Sequence, residues 1–78
     1  MDVKYFETSD FHLGSTLLSL GYKFEALDSA DLSRLKFCFI RDDGLDEAVQ
    51  AFWRGDIRVE PKIFCYSQKI IRNRMKNL

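Results

Sequence analysis

The sequence predicts a small α+β domain, in which three helices pack on an antiparallel sheet of three strands, or four if residues 56–60 form one. Short stretches rich in Phe, Tyr, Val and Ile alternate with segments whose apolar residues recur every three or four positions. Polar turn residues separate these segments. The 78 residues suit a single domain spanning 1–78. The predicted order is β-α-β-β-α-(β)-α.

The central strand is predicted at residues 35–40. This almost entirely apolar segment, with polar residues on both sides, reads Leu35-Lys36-Phe37-Cys38-Phe39-Ile40. Side chains alternate across a strand, so Phe37 and Phe39 face one side while Cys38 and Ile40 face the other. Because both faces are apolar, we expect either cover on both sides or a central place in a small sheet under helices.

The first strand is expected at residues 3–7 and the first helix at 10–20. Thr8 or Ser9 is expected to cap this helix, and the carboxylate of Asp10 suits its positive N-terminal end. Gly21 is expected to end the helix in a left-handed conformation. The apolar face of the helix contains Phe11, Leu13, Leu17, Leu18 and Leu20.

The second strand is predicted at residues 22–27, where apolar and polar side chains alternate. Only seven residues, 28–34, separate it from the central strand. A parallel return needs a crossover of about a dozen residues, so the two strands should pair antiparallel.

The second helix is predicted to follow a cap formed by Asp42-Asp43-Gly44 and to end at Gly55. Asp46 and Glu47 fall in its first turn, where acidic side chains suit the helix dipole. Its buried stripe is predicted to contain Leu45, Ala48, Val49, Phe52 and Trp53.

The segment 56–60 forms either a short edge strand or an extended link. A strand here would give the order of a ferredoxin-like sandwich with an added helix, but the shortness of the elements favours three strands. Pro61 suits the first position of a third helix, which is predicted to run to about Lys76. The residues expected to face inward from it are Ile63, Phe64, Ile70, Ile71 and Met75.

The charges cancel overall but are unevenly distributed. Residues 1–60 hold 7 bases and 12 acids, a net charge of −5. Residues 61–78 hold five bases and no acid: Lys62, Lys69, Arg72, Arg74 and Lys76. Zero net charge argues against disorder and against a globally basic nucleic-acid binder. With no membrane-length apolar run and no apolar core of a signal peptide after residue 4, we expect a cytoplasmic protein with no membrane partner.

Several local motifs together resemble a family of small domains from bacteria, archaea and their phages that is catalogued as a domain of unknown function. The motifs are Thr8-Ser9-Asp10, Gly21-Tyr22, Phe37-Cys38-Phe39, Phe52-Trp53-Arg54-Gly55, and Val59-Glu60-Pro61 with Phe64. The resemblance covers nearly the whole chain. It implies a common fold and an origin in mobile elements, and it implies no catalytic residue and no ligand.

Residues with catalytic or metal-binding chemistry are few. His12 is the only histidine, and it lacks the neighbours of a zinc signature. Cys38 and Cys65 are expected to be free thiols, since a reducing cytoplasm disfavours a disulfide. Asp42, Asp43, Asp46 and Glu47 could hold Mg²⁺, but helix capping explains them more simply. We therefore expect no enzyme, with no catalytic residue, metal or cofactor.

Two functions remain open from the sequence. The leading hypothesis is a non-enzymatic binding or adaptor module that acts by protein–protein contact or self-association, since 78 residues cannot bury every large apolar side chain. Its expected interface residues are Trp53, Tyr66, Ile70 and Leu78. The alternative is a nucleic-acid-binding domain that uses the basic third helix. Its expected contacts are Lys69, Arg72, Arg74 and Lys76.

Overall fold

The computed structural model of the chain describes residues 4–30 and 33–77, so Val3 and Leu78 lie outside it. The elements are β1 (Tyr5–Thr8), α1 (Phe11–Ser19), β2 (Phe24–Asp28), β3 (Lys36–Ile40), α2 (Leu45–Arg54) and α3 (Pro61–Lys76). This order confirms the predicted α+β fold. Residues 56–60 form no strand, so the three-stranded version is the correct one.

The sheet has the order β1-β3-β2, with β3 in the centre as predicted. Both neighbours pair with β3 antiparallel, and Phe39 lies opposite Phe6 on one side and Phe24 on the other. The pairing of β2 shifts between Phe24 and Ala26, where an irregularity interrupts the register. β2 begins at Phe24 rather than at Tyr22, because Tyr22 still belongs to the end of α1.

All three helices pack on one face of the sheet. Phe37 and Phe39 are buried on that face, whereas Cys38 and Ile40 point to the other face and are half-buried. The prediction left open whether both faces would be covered, and the structure has the sheet under helices on a single side. Antiparallel sheets tolerate this arrangement, since one face can remain against solvent.

The hydrophobic core joins one or two residues from each helix to the central strand. Leu13 and Leu17 come from α1, Leu45 from α2 and Ile71 from α3, and they meet Phe37 and Phe39. Partly buried residues packed around them include Phe6, Phe11, Leu18, Tyr22, Phe24, Leu27, Ala48, Val49, Phe52 and Met75.

Three residues predicted for the apolar faces of helices are exposed instead. Leu20, which follows the last residue of α1, is 38% exposed, Trp53 is 62% exposed and Ile63 is 51% exposed. Trp53 and Ile63 each lie eight residues from a core residue of their own helix, Leu45 and Ile71 respectively. Eight residues correspond to a rotation of about 80° around a helix, which takes both side chains off the buried stripe. Phe64, which is seven residues from Ile71, stays partly buried.

The cap of α1 differs from the prediction. Asp10 is the N-cap, and its Oδ1 accepts a hydrogen bond of 2.9 Å from the backbone N–H of Leu13. Thr8 Oγ1 instead accepts from the backbone N–H of Asp10 at 3.1 Å. The prediction that Thr8 or Ser9 caps the helix was therefore wrong, because the helix begins one residue later than expected.

The end of α1 confirms the prediction for Gly21, which has φ 96°. The N–H of Gly21 donates to the carbonyl of Leu18 and the N–H of Tyr22 to that of Leu17, both at 3.1 Å. This is the Schellman pattern, and it requires a left-handed residue that glycine adopts without strain.

The start of α2 also departs from the prediction. Gly44 occupies the N-cap, and no side chain within the described residues forms a capping hydrogen bond there. Asp42 contributes only its backbone carbonyl, which accepts from the N–H of Leu45 at 3.2 Å. Of the predicted cap Asp42-Asp43-Gly44, Gly44 is therefore the N-cap as expected, whereas the expectation that the aspartate side chains contribute was wrong. In α3, by contrast, Glu60 accepts from the N–H of Ile63 at 2.8 Å, just before Pro61.

α1 and α3 pack closely and run in opposite directions. Ser19 Oγ, at the C-terminal end of α1, donates to Ser67 Oγ in the first half of α3 at 3.0 Å. Nearer the start of α1, a Cβ placed on Gly14 would lie 3.6 Å from Ile71 Cδ1 and 3.3 Å from Phe37 Cδ2. The distance to Ile71 is ordinary van der Waals contact, whereas the distance to Phe37 is tight, so the missing side chain of Gly14 mainly lets α1 lie close to β3.

Candidate protein-binding surface

The α3 face is the exposed side of α3 formed by Pro61, Lys62, Ile63, Cys65, Tyr66 and Lys69. Tyr66 is 66% exposed and lies between the two lysines, four residues after Lys62 and three before Lys69. Side chains at these spacings are neighbours on a helix surface. Five of the six residues, all except Ile63, line an open depression of about 360 Å³. The face therefore presents an aromatic ring between two cations.

The α2 face is the exposed side of α2 formed by Asp46, Glu47, Gln50 and Trp53. The Trp53 ring meets Phe52 edge to face, with 5.0 Å between ring centroids. Phe52 packs on the core, so this contact supports the exposed indole. Asp46 Oδ1 lies 3.3 Å from Arg41 Nε, but both side chains are exposed and such a pair contributes little. The face presents an aromatic ring beyond an acidic first turn.

The four interface residues expected from the sequence differ in how exposed the structure leaves them. Trp53 and Tyr66 are well exposed, on separate helices. Ile70 is half-buried, and Leu78 lies outside the described residues. The apolar pattern of α3 predicts that Ile63 is in the core, but its side chain is exposed, three residues from Tyr66. Ile63 lies eight residues before Ile71, which rotates it about 80° from that core residue, and this spacing was the sequence signal that could have predicted its exposure.

The four basic residues proposed for nucleic acid do not form one row. The guanidinium carbon of Arg72 lies 5.0 Å from the centroid of the Phe11 ring, and that of Arg74 lies 5.1 Å from the Phe24 ring. These cation–π contacts hold both arginines against aromatic residues of the domain. Arg74 is rotated by about 140° from Lys69 around the helix. Lys69 and Lys76 are exposed on the side opposite the core.

The two cysteines lie on opposite sides of the domain. Cys38 is half-buried on the open face of the sheet, and Cys65 is exposed on α3. Burial raises the pKa of the Cys38 thiol, and the nearby carboxylates of Glu7, Glu25 and Asp28 raise it further. A raised pKa lowers the thiolate fraction, so this environment does not activate Cys38 as a nucleophile.

The remaining candidates for chemistry are dispersed. His12 is exposed, and its ring contacts Phe11 edge to face at 5.7 Å. In the part of the chain that the structure describes, no group of three or more His, Cys, Asp or Glu side chains could hold a metal ion. A second depression, of about 340 Å³, is lined by Ser9, Phe11, Ser33, Arg34, Leu35, Phe37 and Met75. Arg34 is the charged residue in that set, so titratable groups do not converge there.

Comparison with known proteins adds no relatives. The chain matches no protein-family model, no curated protein and no solved structure. The likeness to a family of domains of unknown function therefore stays a prediction based on the motifs quoted above. Within residues 4–30 and 33–77, none of the helices is long and apolar enough to cross a membrane.

Proposed function

We propose that this protein is a small, non-enzymatic binding module that acts by protein–protein contact through its α2 and α3 faces. The observation that carries the proposal is the exposure of Trp53 and Tyr66, which are 62% and 66% accessible. Trp and Tyr are the residues most enriched in the energetic centres of protein interfaces. A binding partner would cover both rings.

The small size of the domain limits how much apolar surface it can bury. A chain of 78 residues buries only about 60% of the surface that its unfolded form exposes, so each large apolar side chain matters to its stability. An aromatic side chain can remove about 150–250 Å² from water, at about 25 cal/mol per Å². The uncovered fractions of Trp53 and Tyr66 leave much of that stabilisation to be gained on association. Scattered exposed side chains are normal, but Trp53 and Tyr66 are the two most exposed of the large apolar residues that the structure describes, and both lie on helices that pack against α1.

The test compares wild type with the double variant Trp53→Glu plus Tyr66→Glu. We expect wild type to associate, either with itself in sedimentation velocity or with a purified partner identified by cross-linking in its source cells. The double variant should lose that association while keeping its circular dichroism spectrum. Tyr5→Glu is the matched control, since Tyr5 is an exposed aromatic on β1, away from the helix layer. Association that is retained by the double variant, or lost equally in Tyr5→Glu, would contradict the proposal.

Nucleic-acid binding by α3 is the second candidate function. The observation in its favour is the exposed ring of Tyr66 between Lys62 and Lys69, since single strands bind where bases stack on aromatic rings near cations. The engagement of Arg72 and Arg74 with Phe11 and Phe24 weighs against it. A mobility-shift assay with a labelled single strand of about 20 nucleotides tests it. Binding should weaken with salt and in Lys62→Glu plus Lys69→Glu, and salt-insensitive or absent binding would remove this candidate.

We also propose a cytoplasmic location. Two free thiols on opposite sides of the domain suit a reducing compartment, where thiols are not driven into disulfides.

A further inference from the structure

We infer that the partner is a second copy of this chain, with the α2 face of one protomer against the α3 face of the other. This inference rests on the proposed function, because it names the partner for the same two faces. It is supported by the opposite charge of the faces, by their matching aromatic residues and by their position on one side of the sheet.

The charges of the two faces are complementary. Asp46 and Glu47 are exposed in the first turn of α2, directly after exposed Asp42 and Asp43. Lys62 and Lys69 flank Tyr66 on α3, which contains no acidic residue along its whole length. Contact between the faces therefore brings carboxylates to ammonium groups around two aromatic rings. Complementary potentials of this kind orient partners and raise their association rate.

The same charges exclude the simpler symmetric pairings. An α3–α3 contact would bring Lys62 and Lys69 against the same lysines of the second copy. An α2–α2 contact would bring Asp46 and Glu47 against their own equivalents. Like charges juxtaposed at an interface are strongly unfavourable. Among pairings of these two faces, α2 with α3 is the one that avoids this repulsion.

A two-fold dimer would use both faces of each copy. α2 and α3 each pack against α1 in the helix layer on one side of the sheet. A two-fold axis through that layer would form the α2–α3 contact twice, once in each direction. Such isologous dimers are the commonest symmetric assemblies, and each subunit uses the same patch. The open face of the sheet, with Cys38, would stay outside this dimer.

Charge reversal provides a test with a built-in rescue. The first variant is Lys62→Glu plus Lys69→Glu, and the second is Asp46→Lys plus Glu47→Lys. Each variant alone would place like charges across the contact, so we expect its dimer to be weakened at least about tenfold. Mixed together, the two variants regain complementary charges at both contacts. We expect the mixture to form a 1:1 heterodimer with the affinity of wild type.

The measurement is sedimentation velocity from about 10 µM to about 1 mM chain, because self-association depends on concentration. Wild type should change from monomer to dimer, and the dimer should weaken between about 0.05 M and about 0.5 M salt. Circular dichroism verifies the fold of each variant. If the variant with both lysines reversed unfolds, Lys62→Gln plus Lys69→Gln replaces it, with weakened dimerisation as the expected result.

Two results would overturn the inference. Wild type that stays monomeric throughout this range would exclude a second copy as the partner. The proposed function would then survive if a different protein bound in a way that depends on Trp53 and Tyr66. A dimer that persists in both charge-reversed variants, with no effect of mixing, would show that other surfaces form it. Binding of the single-stranded probe by a monomer would favour nucleic acid as the ligand.

Discussion

The strongest test of the fold compares two neighbouring residues of β3 that point to opposite faces of the sheet. Phe39 is fully buried, and its ring stacks on that of Phe24 with 5.3 Å between centroids. Ile40 is half-buried on the face that carries no helix. Phe39→Ala and Ile40→Ala therefore remove apolar groups from a packed core and from an open surface of the same strand.

The two substitutions should differ clearly in the free energy of unfolding. Replacing a core Phe by Ala costs about 3–5 kcal/mol, as lost burial plus the cavity that remains. Ile→Ala removes three carbon atoms at about 0.8 kcal/mol each, and half exposure reduces the total to about 1.2 kcal/mol. The free energy of unfolding of a domain of this size is about 4–12 kcal/mol. Phe39→Ala should thus lower Tm by about 15–30 °C, while Ile40→Ala lowers it by about 5–10 °C.

Urea denaturation followed by far-UV circular dichroism measures the free energy of unfolding of both variants, at a concentration where sedimentation shows monomer. Phe39→Leu is the milder variant to use if Phe39→Ala does not fold. Equal losses of unfolding free energy in the two alanine variants would contradict this assignment of faces, because they would mean that Ile40 is as fully packed as Phe39. The sheet would then have to be covered on both faces.

Two smaller predictions concern the caps and the thiols. In urea denaturation, Asp10→Ala should lower the free energy of unfolding by about 1 kcal/mol, because it removes the acceptor for the Leu13 N–H. Asp43→Ala should lower it little, because no side chain caps α2 in the described structure. Equal losses in the two variants would contradict the assigned caps. With a thiol reagent at pH 8, Cys38 should react more slowly than Cys65, because burial and nearby carboxylates raise the Cys38 pKa and the thiolate is the reactive form. Single Cys→Ser variants separate the two rates, and a faster Cys38 would be the contrary result.

The sequence was most informative where a local signal and the tertiary structure demand the same residue. Phe37 and Phe39 alternate with Cys38, so the strand and its buried side follow from period-two patterning. Gly21 ends α1 because a left-handed residue is needed there, and Pro61 starts α3 because its missing N–H is harmless in the first turn. The brief link between β2 and β3 required an antiparallel pair. These features depend on neighbours within a few residues.

The candidate site was harder to predict, because exposure depends on how many elements cover a helix. Trp53 and Ile63 fit an apolar helical pattern, yet each is rotated by about 80° from the residue that reaches the core. A three-strand sheet under helices on one side is too small to cover a stripe that wide. The sequence could name Trp53 and Tyr66 as apolar residues in excess, but it could not assign them to separate faces.

The amino-acid sequence predicts the Phe-rich strand, the basic last helix and the order of the elements, except for the choice between strand and link at residues 56–60. Only the folded chain shows that the helices cover one face of the sheet, that Arg72 and Arg74 lie over aromatic rings, and that Trp53 and Tyr66 remain uncovered. Caps, turns and periodicity act between close neighbours in the chain, whereas burial is shared among segments that meet only after folding.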